Sequence, residues 1–220
     1  MIDLKRLIAP LHSDGHAPVA GFGLGALVLW GIDWDGLAFA ALLGAVYSAR
    51  LYSNFPRTAP DDDSVMLAPA DGTIAFVDEA LPPAELNLGD QPVWRVAIAL
   101  GAFDSHVIRM PVAATVSRIE YRPGRAGDAL APSAILENER NLIALSVPGG
   151  GPAALVQLAG RMIRRISWSV VEGMAVEPGT PFGTIAVDGR VDLYLPAGTR
   201  PLVRAGQIAV GGETVLARLA

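Results

Sequence analysis

No cysteine occurs anywhere in the chain, which excludes disulfides, thiolate nucleophiles and thiolate metal sites. Lysine is almost as scarce, since Lys5 is the only one among 17 basic residues and all the others are arginine. A Schiff-base, pyridoxal-phosphate, biotinyl or lipoyl lysine would therefore have to be Lys5, which stands ahead of the hydrophobic region and far from any plausible pocket. Histidine is limited to His12, His16 and His106, too few and too dispersed for a multi-histidine metal cluster. A net charge of -5 argues against a nucleic-acid partner, because phosphate binding depends on a basic face.

Apolar residues are abundant, at 51%, and the excess lies near the N-terminus. Ala17 to Ile32 and Gly36 to Ala49 carry no charge and are separated by Asp33-Trp34-Asp35. Each run is shorter than the roughly 20 residues a lone spanning helix needs, so residues 1–54 are expected to form a shallow, membrane-associating helical hairpin. Lys5, Arg6, Arg50 and Arg57 flank its outer ends, which fits the positive-inside tendency, and Trp30, Trp34, Tyr47 and Tyr52 are candidate interfacial anchors. The glycines and alanines of both runs suit close helix packing in lipid. A hairpin buried in a soluble protein and a cleaved signal peptide are the alternatives; the second apolar run weighs against the signal peptide.

"NFPRTAPDDDS", Asn54 to Ser64, reads as a linker, and the texture changes after it. Short β-branched runs such as "GTIAFV", "WRVAIAL", "ATVSRIEY", "LIALSV", "ALVQLAG" and "RISWSVV" are punctuated by Gly and Pro. Residues 55–220 are therefore expected to be mainly β, a barrel or sandwich without alternating βαβ units. Two internal echoes refine this: "PADGTI" (Pro69 to Ile74) with "PVAATV" (Pro111 to Val116), and "EGMAVEPGTPF" (Glu172 to Phe182) with "AGQIAVGGETV" (Ala205 to Val215). The second echo sets Gly173 against Gly206 and Gly179 against Gly212, the pattern of a barrel-sandwich-hybrid fold like that of lipoyl and biotinyl carriers. The carrier function is excluded, because the β region has no lysine.

Individual polar groups are ambiguous. Asp71 in "PADGT" reads as an Asx turn by default. His106 stands among Phe103, Val107, Ile108 and Met110 and should be partly buried; an imidazole becomes a general base when a carboxylate orients it. Arg161, Arg164 and Arg165 stud an otherwise apolar segment, and could face solvent or hold lipid phosphate through their planar forks. Asp188-Gly189 reads locally as a hairpin turn, followed by a strand with Val191, Leu193 and Leu195 inward and Asp192 and Tyr194 outward.

The ordered set "HSDGH", "NFPRTAP", "APADGTIAFV", "FDSHVIRMPV", "IEYRPG", "ENERN", "QLAGRMIRRI", "EGMAVEPGTPFGTI" and "RVDLYLP" resembles the phosphatidylserine decarboxylase family in its short bacterial form. The resemblance implies a membrane-associated protein of phospholipid metabolism at the cytoplasmic face of the inner membrane. Its partners would be a phospholipid membrane and phosphatidylserine or another aminophospholipid, and homo-oligomerisation is left open.

In that family an aspartate of the "PADG" turn orients a histidine of the "H-V-x-R" segment. The pair activates a serine just before "R-V-D-x-Y-L-P", which cleaves its own chain and becomes a pyruvoyl group, the electron sink for decarboxylation. Asp71 and His106 match the first two positions. Counting back from Arg190 without a gap, Gly189 falls on the serine and Asp188 on the glycine before it. Glycine has no hydroxyl, so no pyruvoyl cofactor is expected in this chain, and whether it is an enzyme at all turns on this position. The alternative is an active decarboxylase using another nucleophile such as Thr184.

Overall fold

The computed structural model describes residues 10–162 and 165–219, so Lys5, Arg6 and Arg164 lie outside the described residues. Helix α1 (Ser13–Gly31) starts where the His12 ring accepts the Asp14 N–H. It ends in a turn at Asp33, which takes φ 58°, and helix α2 (Asp35–Leu51) runs back against it. The base is closed by His12 N–H to Tyr52 C=O (2.9 Å) and Asn54 N–H to Pro10 C=O (2.8 Å). Beyond that base, large apolar side chains from Phe22 to Val46 stand in the open, with Trp30 68% and Trp34 56% exposed.

Two details of the hairpin differ from expectation. Tyr52 is buried at the hairpin base against Gly15, and Tyr47 packs edge-on against Phe103 of the β region at 6.0 Å, so neither projects as a free anchor. Among its glycines, Gly15 lies against Tyr52 and Gly44 against the Phe22 ring, whereas Gly21, Gly23, Gly25, Gly31 and Gly36 face open space and mediate no helix packing. Among the described residues no helix is long and apolar enough to cross a membrane.

The remainder is built from strands β1 (Val65–Leu67), β2 (Gly72–Ala80), β3 (Val93–Leu100), β4 (Val107–Arg109), β5 (Ala114–Arg122), β6 (Arg140–Val147) and β7 (Gly151–Ala159). Then come β8 (Ile166–Trp168), β9 (Ala175–Val176), β10 (Pro181–Ile185), β11 (Gly189–Tyr194), β12 (Ile208–Ala209) and β13 (Val215–Arg218). An eight-stranded sheet has the order β12-β2-β3-β11-β7-β6-β5-β9, alongside a three-stranded β4-β10-β8 sheet and the β1-β13 pair. Every pairing between these strands is antiparallel, and each strand-like run of the sequence lies in or across one of them.

The two echoes in the sequence correspond to a pseudo-two-fold. Gly173, Gly206, Gly179 and Gly212 all take left-handed φ, at 84°, 88°, 74° and 80°, which a residue with a Cβ adopts only under strain. Gly173 N–H bonds Val116 C=O as Gly206 N–H bonds Ile74 C=O, and Gly179 reaches Met110 C=O as Gly212 reaches Ala68 C=O. β9 then pairs with β5 through Val176 and Ala114, as β12 pairs with β2 through Ala209 and Gly72. The main core fills the space between these halves with Met66, Ile74, Ile98, Ile108, Met110, Ile143, Leu145, Phe182, Val191 and Leu193.

The outer face of the central strands is covered as well. Leu86, Ala134, Leu142, Val156, Leu158 and Tyr194 form a second cluster, capped by a helical turn at Ala84–Leu86 and by the short helix α3 (Ala134–Glu137). The expected alternation along β11 is present, but its polar side is not solvent-facing: Arg190, Asp192 and Tyr194 are as buried as Val191 and Leu193.

Candidate functional site around residue 189

Gly189 opens β11 and is paired on both sides, with Leu100 of β3 and Ala159 of β7. The local turn differs from the Asp-Gly hairpin expected. β10 and β11 belong to different sheets, and the left-handed residue of the connection is Val187 at φ 64°, not Gly189. The space around Gly189 is also closed. A Cβ there would lie 2.5 Å from the Leu158 carbonyl oxygen and 2.6 Å from Ile185 Cγ2, both inside any tolerable contact. Side-chain exclusion, not backbone conformation, is what this position asks of glycine.

The connection is held by Asp188. Its carbonyl accepts the Gly160 N–H at 3.1 Å, and its carboxylate accepts the N–H groups of Arg161 (2.8 Å) and Met162 (3.1 Å). Nothing local in the sequence signals this role, because the three donors come from a loop 26 to 28 residues upstream.

His106 is fully buried beside this connection, because Ile185 N–H bonds its carbonyl (3.2 Å) and its own N–H bonds Leu51 C=O (2.8 Å) at the hairpin base. Nε2 lies 3.1 Å from Gly101 C=O. A carbonyl can only accept, so Nε2 carries a proton, and Nδ1 has no hydrogen-bond partner among the described residues. Burial pushes the imidazole below its ordinary range, against the opposing influence of the Gly101 carbonyl, Asp104 and Asp188. Burial thus favours the neutral ring with its proton on Nε2.

The structure does not join Asp71 to His106. Asp71 Oδ2 pairs with Arg57 at 2.5 Å and Oδ1 accepts the Gly211 N–H at 2.8 Å. Arg109, two residues into β4, bonds Asn54, Phe55 C=O and Gly179 C=O. Burial and the charge of Arg57 lower its pKa. The "NFPR" segment is therefore part of this corner and not merely a linker, as Arg57 and Asn54 show.

Thr184 is 2% exposed, with its Oγ1 2.9 Å from Asp14 Oδ2 and 2.9 Å from Ser167 Oγ. Ser167 donates to the same carboxylate oxygen, so three polar groups dock the start of α1 onto β8 and β10. Burial raises the Asp14 pKa, but the two hydroxyl bonds outweigh it and the net shift is downward, which makes this carboxylate a weak base for either hydroxyl. Of the arginine row, Arg161 is exposed and paired with Asp128 at 2.5 Å, and Arg165 is exposed, with its C=O accepting the Ala186 N–H. Arg164 lies outside the described residues.

A profile described as phosphatidylserine decarboxylase matches residues 45–217. Among curated relatives, the phosphatidylserine decarboxylase proenzyme of Nitrobacter winogradskyi is 40% identical over 214 residues, covering 97% of this chain and 86% of the relative. That of Cereibacter sphaeroides is 38% identical over 216 residues (98% and 93%). The proenzyme of Gluconacetobacter diazotrophicus is 42% identical over 221 residues (98% and 97%).

Proposed function

The chain belongs to the phosphatidylserine decarboxylase family, and from that premise we propose that it is a non-processing member. It stays uncleaved, forms no pyruvoyl group, and engages an aminophospholipid as a binding, scaffolding or regulatory protein of phosphatidylethanolamine metabolism. One observation carries this reading. The residue in the place of the self-cleaving serine is Gly189, which lacks the hydroxyl and whose surroundings leave no room for a Cβ.

A pyruvoyl group does not fit these residues. It is made from the side chain of the residue it replaces, and the candidate hydroxyls of Thr184 and Ser167 are committed to Asp14. The groups that remain are those that would bind and polarise. Gly160 N–H sits on the carbonyl that a residue-189 nucleophile would attack, and His106 Nδ1 is a free acceptor. Intact-mass spectrometry should return one species at the full 23.0 kDa. A pair of fragments split before residue 189, the C-terminal one with a blocked amino end, would overturn the reading.

The second part of the proposal places residues 1–54 in the membrane, with residues 55–220 as the lipid-facing β domain and the barrel-sandwich hybrid as its fold. Support comes from the apolar side chains at the hairpin's free end, a patch of the kind that soluble monomers rarely leave uncovered. Full-length chain is expected to float with vesicles of phosphatidylglycerol and phosphatidylethanolamine. The full-length Leu27→Asp/Phe39→Asp variant should lose at least tenfold in bound fraction. Equal flotation would move the membrane contact to the β domain.

A further inference from the structure

Gly160, Arg161 and Met162 leave β7 with three successive N–H groups turned onto one residue, Asp188, at 3.1, 2.8 and 3.1 Å. The Gly160 N–H is taken by the Asp188 main-chain carbonyl, whereas the consecutive Arg161 and Met162 N–H groups both face its carboxylate; two such donors side by side make an anion-binding concavity with no cationic side chain required. The concavity already contains an anion, the Asp188 carboxylate, with one oxygen on each of the Arg161 and Met162 donors. It also depends on the glycine at its rim: a Cβ on Gly160 would stand 2.2 Å from Asp188 Oδ2. The Arg161 side chain takes no part, since its guanidinium is turned to Asp128.

We propose that residues 160–162 form a headgroup-anion site that this chain keeps filled with its own Asp188 carboxylate. Removing that carboxylate opens the site to a phosphate or carboxylate oxyanion. The tether explains why a free anion would not enter the unsubstituted chain: a group attached through a short stretch of backbone competes at an effective concentration on the order of mM or higher. The neighbouring chemistry narrows the ligand. His106 adjoins the same connection, its C=O accepting the Ile185 N–H, and its Nδ1 has no hydrogen-bond partner among the described residues. An oxyanion in the concavity would thus have an acceptor for an ammonium nearby, the pairing found in a serine or ethanolamine phosphodiester. That choice of ligand class rests on the aminophospholipid reading given above; the concavity itself does not.

The experiment is a chemical rescue followed by amide NMR on the full-length chain in detergent. In Asp188→Gly the Arg161 and Met162 amide protons should move upfield, having lost charge-assisted bonds. Adding glycerophosphoserine should return them downfield, with an affinity at least tenfold tighter for the variant than for the unsubstituted chain. Inorganic phosphate, titrated separately, distinguishes a headgroup from a free anion: if phosphate binds as tightly as glycerophosphoserine, the anion site stands and the headgroup assignment falls. Asp188→Asn, which keeps the side-chain volume and loses the charge, should show a weaker form of the same rescue, and it serves if the glycine variant does not fold. Amides that respond identically in variant and parent, or that respond to neither ligand, would overturn the proposal. Intact mass on the same samples separates the two readings, since cleavage would refute the non-processing assignment whatever the amides do.

Discussion

Gly189→Ser is expected to leave the chain in one piece and to lower its stability by about 1–3 kcal/mol, the usual cost of overpacking a closed site. The loss follows from the two atoms a new Cβ would meet. Leu158 belongs to β7, which is bonded on one side to β6 and on the other to β11, so its carbonyl cannot withdraw without disturbing both ladders. Ile185 could turn its side chain, but it is fully buried in the main core. The failure to cleave follows from the relay. His106 has a free Nδ1, yet Asp71, its expected orienting partner, is held by Arg57 and by the Gly211 N–H. Adding a hydroxyl at 189 therefore supplies one component of the expected three. The double variant Asp188→Gly/Gly189→Ser should behave the same way. Denaturant unfolding and denaturing gels read both halves; self-cleavage in either variant would show that Asp71 and His106 come together in a conformation other than this one.

A larger loss of stability, about 3–5 kcal/mol, is expected for Asp192→Ala, because it strands buried charge. Asp192 is completely buried and lies between two arginines. Its Oδ2 accepts from Arg190 Nη2 at 2.9 Å and its Oδ1 is 2.7 Å from Arg190 Nε, close enough for an ion pair but misaligned for a hydrogen bond. Arg95 Nη1 approaches at 3.7 Å while its other nitrogens grip Asp78. Both guanidinium groups also sit over the Phe76 ring, at 4.8 and 5.1 Å, so neither can retreat to water without giving up packing. Deleting the carboxylate leaves Arg190 in the interior with little besides the Ala129 carbonyl. Replacing both partners, as in Arg190→Met/Asp192→Leu, should recover most of the loss, since a buried pair is often no better than well-packed apolar residues. An Asp192→Ala midpoint equal to that of the parent would show that water reaches this site.

The strands were legible because β-branched runs between Gly and Pro turns are a local signal, and the hairpin because two uncharged runs met at an acidic turn. The glycine pairs 173/206 and 179/212 were legible as an echo, and each proved to need its left-handed φ. The outward placement of Asp192 was wrong for a physical reason: alternation reports two faces but not which is covered, and residues far along the chain cover the second one. Arg57 with Asp71, and Gly160 to Met162 with Asp188, were not legible as sites because partners 14 and 26 to 28 residues apart leave no periodic trace. His106 could be placed as buried but not oriented, since its ring contact is a backbone carbonyl that any residue at 101 would supply.

The pseudo-two-fold supplies a reference copy within the same molecule. By the offsets that match Pro69 with Pro111 and Gly206 with Gly173, Asp71 corresponds to Ala113 and Gly211 to Pro178. One corner is thus built with a carboxylate and an N–H donor, and its twin with a methyl group and a proline that has no N–H to give. The twin closes its turn all the same, with Gly179 bonded to Met110 as Gly212 is to Ala68. The twin therefore closes without a carboxylate at this position, and the Asp71 carboxylate is engaged by the Gly211 N–H and Arg57 instead. The two corners thus differ in polarity: one carries the Arg57–Asp71 ion pair where the other has only the methyl group of Ala113.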